Sequence, residues 1–169
     1  MANAAARGMG AVQVLVVDDN EHMRAILLAM LRALGCQNLR EAREGGEGLE
    51  VLQTFPADLA IVDYRMAPMD GLTFARRVRS EESNCRNLPL MMLTGHAEAS
   101  RVAEARDAGV NEFLAKPLSA TLLVQRLGSI MSSERPFVQT DTYYGPCRRR
   151  RADPYYKGAM RRESDKTPV

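Results

Sequence analysis

Residues 12–35 read VQVLVVDDNEHMRAILLAMLRALG, and a change of rhythm inside this stretch decides the fold. Residues 12–17 are almost wholly apolar and rich in β-branched side chains, the pattern of a strand buried on both faces of a parallel sheet. Asn20 then offers a helix N-cap. Met23, Ile26, Leu27, Met30, Leu31 and Leu34 recur at spacings of three, four and seven until Gly35 stops the helix. The unit is strand, acidic loop, helix.

Working outward, the same unit repeats. Residues 39–42 predict a short second strand, 47–55 a helix ended by Pro56, and 59–62 a third strand. After a loop holding Pro68, Asp70 and Gly71, a helix runs to about Arg79, and the apolar run 88–93 (LPLMML) reads as a fourth strand. A helix over 98–108 closes at Gly109, residues 110–115 make a fifth strand, and Ser119 caps a last helix through Leu122, Leu123, Leu127 and Ile130. Five strands alternating with five helices predict an α/β fold, a doubly wound five-stranded parallel sheet with right-handed crossovers and helices on both faces. Ligands of such sheets gather outside the carboxyl ends of the strands.

The charge is divided unevenly. The 169 residues carry 23 Lys+Arg and 21 Asp+Glu, a net of +2. Residues 1–132 hold 14 basic and 16 acidic side chains, a net of −2, whereas residues 133–169 hold 9 and 5, a net of +4. The expected organisation is a flexible lead-in over 1–11, one domain over 12–132, and a basic Tyr/Arg-rich tail over 133–169 largely without its own core. Cys36, Cys85 and Cys147 are an odd number with no CxxC or Cys/His pattern, which argues against a disulfide scaffold and against structural zinc. No apolar run approaches the roughly 18 residues of a membrane span, and the start lacks the apolar core of a signal peptide. A soluble cytoplasmic protein is expected.

The polar residues that end the strands form the candidate site: Asp18 and Asp19 after the first, Asp63 after the third, Thr94 after the fourth and Lys116 after the fifth. Three carboxylates at one sheet edge repel unless a cation sits among them, and a hard divalent ion with oxygen ligands, Mg²⁺, fits best. Lys116 is the only Lys among the 14 basic residues of 1–132, a compact ammonium in a chain that otherwise uses Arg. Such a point charge suits a phosphoryl oxygen or a carboxylate in a tight pocket.

The stretches VLVVDDN (14–20), IVDYRMAPMDG (61–71), MLTGHAE (92–98) and EFLAKPL (112–118) resemble the receiver domain of two-component response regulators, the CheY-like family. The resemblance covers about residues 12–132, with all four motifs in order. It implies the flavodoxin-like (βα)5 receiver fold with strand order 2-1-3-4-5. It also implies that Asp63 is the phospho-acceptor, and that Mg²⁺ is held by Asp19, Asp63 and the backbone carbonyl of Arg65, with Asp18 acting through water. Thr94 then bonds the phosphoryl group, Lys116 is its counter-ion, and Phe113 is the aromatic switch. The Lys116-Pro117 peptide is expected to be cis.

The implied function is a single-domain response regulator of a two-component or phosphorelay system, with chemotaxis among the systems it would suit, and not a turnover enzyme. Its partners are a sensor histidine kinase or histidine phosphotransfer protein, an unknown downstream protein, and in some readings a second copy. The output surface is the helix near 98–108, the fifth strand and the last helix. Met23, near Asp19, is a candidate kinase contact. Arg65 and His96 are expected beside the path of the hydrolytic water and so to tune dephosphorylation. Family members often have Pro where Ala67 stands.

The tail holds four of the five tyrosines and the run Arg148, Arg149, Arg150, Arg151. It reads first as a mostly flexible segment whose Phe137 and tyrosines can fold back on a receiver surface or on a second copy. Partner docking and nucleic-acid binding through this basic patch are the less favoured readings. A receiver that works without phosphate is a further alternative. An Asp-nucleophile phosphohydrolase is disfavoured because residues 18–20 do not supply its DxD arrangement, and flavodoxin-like cofactor binding because no phosphate loop comes after the first strand.

Overall fold

Odd and even residues of each central strand face opposite layers, which is why the strands read as continuous apolar runs. The computed structural model describes residues 8–95, 99–132, 136–140 and 142–147, the side chains of 99–101 excepted. In chain order the elements are α1 (Gly8–Ala11), β1 (Gln13–Val17), α2 (Glu21–Ala33), β2 (Asn38–Ala42), α3 (Gly45–Thr54), β3 (Leu59–Asp63) and α4 (Gly71–Arg79). Then come β4 (Leu90–Thr94), α5 (Ala99–Asp107), β5 (Glu112–Ala115), α6 (Ala120–Met131), β6 (Phe137–Thr140) and β7 (Tyr143–Pro146). The five-stranded sheet is parallel, as the alternation of elements predicts, in the order β2-β1-β3-β4-β5 that the family resemblance implies.

Val14 and Val16 pack with Leu27, Leu31, Ile61, Leu93, Leu123 and Leu127 in one layer, under α2 and α6. Leu15 and Val17 pack with Val62, Phe74, Val78 and Met92 in the other. Asn20 caps α2 by accepting from the Met23 amide, Asp70 caps α4 through Thr73, and Ser119 caps α6 through Leu122. Each cap satisfies an otherwise orphaned amide of the first helical turn.

The described fold extends beyond residues 12–132 at both ends. Residues 8–11 form a single helical turn, Met9 packs on the α2 layer, and the Asn38 side chain donates to the Gly10 carbonyl at 3.0 Å. Within the expected tail, β6 and β7 pair antiparallel into a hairpin with Phe137 opposite Pro146.

That hairpin docks at the amino-terminal edge of β4 and β5. Arg79, the last residue of α4 and 5 % exposed, donates to the Gly109 carbonyl from Nε (3.1 Å) and Nη2 (2.9 Å), to the Arg86 carbonyl (2.6 Å) and to Asn111 Oδ1 (3.1 Å). Its guanidinium also lies 5.0 Å from the Phe137 ring centre. Arg86 stacks on Tyr144 at 3.7 Å, and Tyr144 bonds Asn87. The Phe137 and Tyr144 rings are 5.7 Å apart, so two arginines enclose two aromatic rings.

Close approach of the two backbones requires glycine. Gly109 has φ +82, and a Cβ there would stand 2.9 Å from the Tyr144 carbonyl oxygen. A Cβ on Gly145 would stand 2.8 Å from the Gly109 Cα.

Candidate functional site

Strand ends build the site. Asp18 comes directly after β1 and is fully buried, and its amide donates to the Ala42 carbonyl of β2 at 3.2 Å. Asp63 closes β3 and Thr94 closes β4, 6 % and 3 % exposed. The Lys116 amide donates to the Thr94 carbonyl at 2.8 Å, which fixes the lysine against the end of β4. The Lys116-Pro117 peptide is cis, and so is Ala67-Pro68 in the loop after β3. Gly71 lets α4 start against that loop, because a Cβ there would run into the Asp63 carbonyl.

One carboxylate oxygen each from Asp18, Asp19 and Asp63 lies within 4.8 Å of the others. The Lys116 ammonium bridges two of these groups, 2.7 Å from Asp63 Oδ1 and 3.1 Å from Asp18 Oδ2. Asp63 Oδ2 accepts the Arg65 amide at 2.9 Å, and Asp18 Oδ1 accepts the Asn20 amide at 2.8 Å. Among the described residues the Asp19 carboxylate has no hydrogen-bond or ion-pair partner, and it is exposed.

Burial pushes the Asp63 carboxyl above the ordinary carboxylate range, against the pull of Lys116 and with some help from Asp18. Burial alone would lower Lys116, but its contacts with Asp63 and Asp18 outweigh that and hold the ammonium up. Lys116 pairs with two of the three carboxylates, which leaves Asp19 without a counter-charge among the described residues. The donor set is all oxygen, partly open at Asp19 and short of positive charge, which suits a hard divalent cation such as Mg²⁺.

Phe113 is half-buried on β5 and packs toward the Phe74 layer. The Arg65 side chain is exposed beside Asp63. His96 and Arg148 to Arg151 lie outside the described residues. Two contacts at the rim are absent from the sequence reading. Tyr64 Oη donates to Glu104 of α5 at 3.2 Å. Arg24 of α2, 7 % exposed, donates from Nη1 to the Asp18 carbonyl at 2.9 Å and from Nε to Glu41 at 3.0 Å. Its position was legible in principle, since Arg24, Leu27 and Leu31 stand at i, i+3 and i+7 on one buried stripe.

Known proteins resemble this chain. The chemotaxis protein CheY-3 of Vibrio cholerae is 34% identical over 119 residues, covering 70% of this chain and 91% of that protein. The chemotaxis protein CheY of Pseudomonas aeruginosa is 35% identical over 119 residues, covering 70% and 95%. The solved structure of Vibrio cholerae CheY4 superposes with a TM-score of 0.66 at 28% identity, covering 70% of this chain and 98% of its own. Residues 14–128 match the response regulator receiver domain family, and the docked hairpin lies beyond that match. The chain therefore belongs to the response regulator receiver family, with a five-stranded CheY-like fold.

Proposed function

We propose that Asp63 accepts a phosphoryl group from the phosphohistidine of a sensor histidine kinase or phosphotransfer protein, and that the resulting aspartyl phosphate switches a protein-binding surface. The observation that supports this is the clustering of the Asp18, Asp19 and Asp63 carboxylates, with Lys116 ion-paired to Asp18 and Asp63 and with Thr94 at the end of the neighbouring strand. An Asp63 oxygen attacks phosphorus in line, the bond from phosphorus to the donor nitrogen breaks, and the electron pair leaves with the imidazole. Lys116 balances the charge gathered on the phosphoryl oxygens, and the Thr94 hydroxyl donates to one of them. Asp18, Asp19, Asp63 and the Arg65 carbonyl would hold Mg²⁺, which when bound neutralises charge between nucleophile and phosphoryl group.

Thr94 drawn toward the phosphoryl group vacates space beside β5, and Phe113 turns from half-buried to buried. The surface of α5, β5 and α6 changes with it. Water later hydrolyses the acyl phosphate to inorganic phosphate and free Asp63. Arg65, exposed beside Asp63, and His96, two residues after Thr94 in the chain, tune its rate. The three cysteines carry no disulfide, and none of the described helices is long and apolar enough to cross a membrane. A cytoplasmic site of action fits this reading.

Incubation with phosphoramidate and Mg²⁺, and then intact mass, tests it. The wild type gains one labile phosphoryl group, while Asp63→Asn and chelator-treated protein gain none. No gain across several small phosphodonors would sink the proposal in favour of a phosphate-independent receiver.

A further inference from the structure

The carboxylates of the acidic cluster are not anchored equally. Asp63 is held through both oxygens, by Lys116 and by the Arg65 amide. Asp18 is held through both carboxylate oxygens as well, by Asn20 and Lys116. Asp19 has neither kind of anchor among the described residues. Its place in the cluster is therefore set by its backbone. The peptide joining Asp18 to Asp19 is planar, so whatever holds the Asp18 carbonyl oxygen also sets the direction in which Asp19 leaves the strand.

That oxygen accepts the Arg24 guanidinium at 2.9 Å in a buried hydrogen bond. Arg24 is oriented in turn by Glu41, which accepts from Nε at 3.0 Å. Glu41 sits beside Ala42 on β2, whose carbonyl takes the Asp18 amide, so β2 fixes the same loop from two directions. A guanidinium suits the task because its rigid fork donates to two acceptors at a fixed angle, which an ammonium on a flexible stem does not reproduce.

We propose that Arg24, oriented by Glu41, is a positioning residue for divalent-cation binding: it holds the Asp18–Asp19 peptide so that the Asp19 carboxylate is pre-aimed into the acidic cluster. This rests on the reading of that cluster as a Mg²⁺ site. Arg24 touches no reacting atom. Its loss raises the Mg²⁺ concentration needed for half-saturation and leaves the chemistry at saturation in place. Partners that orient metal ligands in this way are typically worth about 10- to 100-fold in metal affinity.

The test titrates full-length protein with magnesium chloride by calorimetry, and measures phosphoryl uptake from phosphoramidate against Mg²⁺ concentration. Arg24→Met is expected to weaken Mg²⁺ binding about tenfold while the uptake rate at saturating Mg²⁺ stays within twofold of wild type. Arg24→Lys and Glu41→Ala are expected to fall between, and they carry the test should Arg24→Met not fold, since Glu41 is half-exposed. Unchanged Mg²⁺ affinity in these variants, with only a lower urea midpoint measured in chelator, assigns Arg24 a purely structural role and overturns the proposal. A lowered plateau at unchanged half-saturation overturns it too. Failure of the wild type to bind Mg²⁺ removes the metal-site reading itself and this proposal with it.

Discussion

Each pole of the sheet holds a cation, part-buried Lys116 at one and buried Arg79 at the other, and the two are treated in opposite ways. At the carboxyl ends of the strands, Lys116 faces Asp18 and Asp63 with Asp19 close by, so one positive charge answers three negative ones. At the amino ends, Arg79 faces two carbonyls, an amide oxygen and the face of Phe137, and its donors are met by neutral groups. Burial pulls the Arg79 pKa down to about 10, which still leaves it charged at neutral pH. The first arrangement is short of positive charge and selects a further cation. The second is closed and holds a hairpin in place. A buried charge is chemically available only where its partners leave a charge deficit.

Substitutions can break this contrast. Arg79→Met removes the Arg79 hydrogen bonds to the Gly109 and Arg86 carbonyls and one of the two that Asn111 Oδ1 accepts, and each buried acceptor left unmet costs about 1–3 kcal/mol. We expect a loss of about 3 kcal/mol in urea unfolding, with phosphoryl uptake per folded molecule unchanged within twofold. A fall in uptake matching the fall in stability would show that the poles are not independent.

Mg²⁺ sharpens the contrast from the other side. At about 100 times its dissociation constant it should raise stability by about 2.7 kcal/mol, an increment lost on adding chelator or in Asp19→Asn. The same increment should appear in Arg79→Met, because sites at opposite edges add independently. A thermal melt with and without Mg²⁺ checks both statements.

Gly109→Ala is the smallest of the three. A side chain at φ +82 and 2.9 Å from the Tyr144 carbonyl should cost about 2 kcal/mol and loosen the hairpin. Tyr144 fluorescence quenching by iodide should rise, while half-saturation by Mg²⁺ stays put. Unaltered quenching would mean that the hairpin is held without this close approach.

The same contrast explains what could be read from the sequence. The acidic pole was legible because a doubly wound sheet brings together whatever polar residue ends each strand, so Asp18, Asp63, Thr94 and Lys116 could be placed without knowing any contact. Of the hairpin pole only the fold-back of Phe137 and the tyrosines was legible; its two strands and their partners were not, because Phe137 and Tyr144 are held by Arg79, Arg86 and Gly109, far upstream in the chain. Their pattern carries no periodic apolar face of its own. Two strand starts differ from the sequence expectation by two residues, for a local reason. β4 begins at Leu90 and β5 at Glu112, after the predicted 88 and 110, because the Asn111 side chain takes the Leu90 amide and ties the two strands where they enter the sheet. The buried arginines left one signal. Arg79 continues the Leu72 and Ala75 stripe of α4 just as Arg24 begins the Leu27 and Leu31 stripe of α2.

Helix α4 touches both poles, starting against the Asp63 loop at Gly71 and ending in Arg79. Its nine residues therefore fix an angular phase as well as a length. One inserted residue would turn everything after it by about 100° and carry Arg79 away from Phe137, while Asp70 kept its cap on the first turn. Any receiver given this hairpin by grafting must match the helix in register, since the right residues at the wrong phase would leave the clasp open.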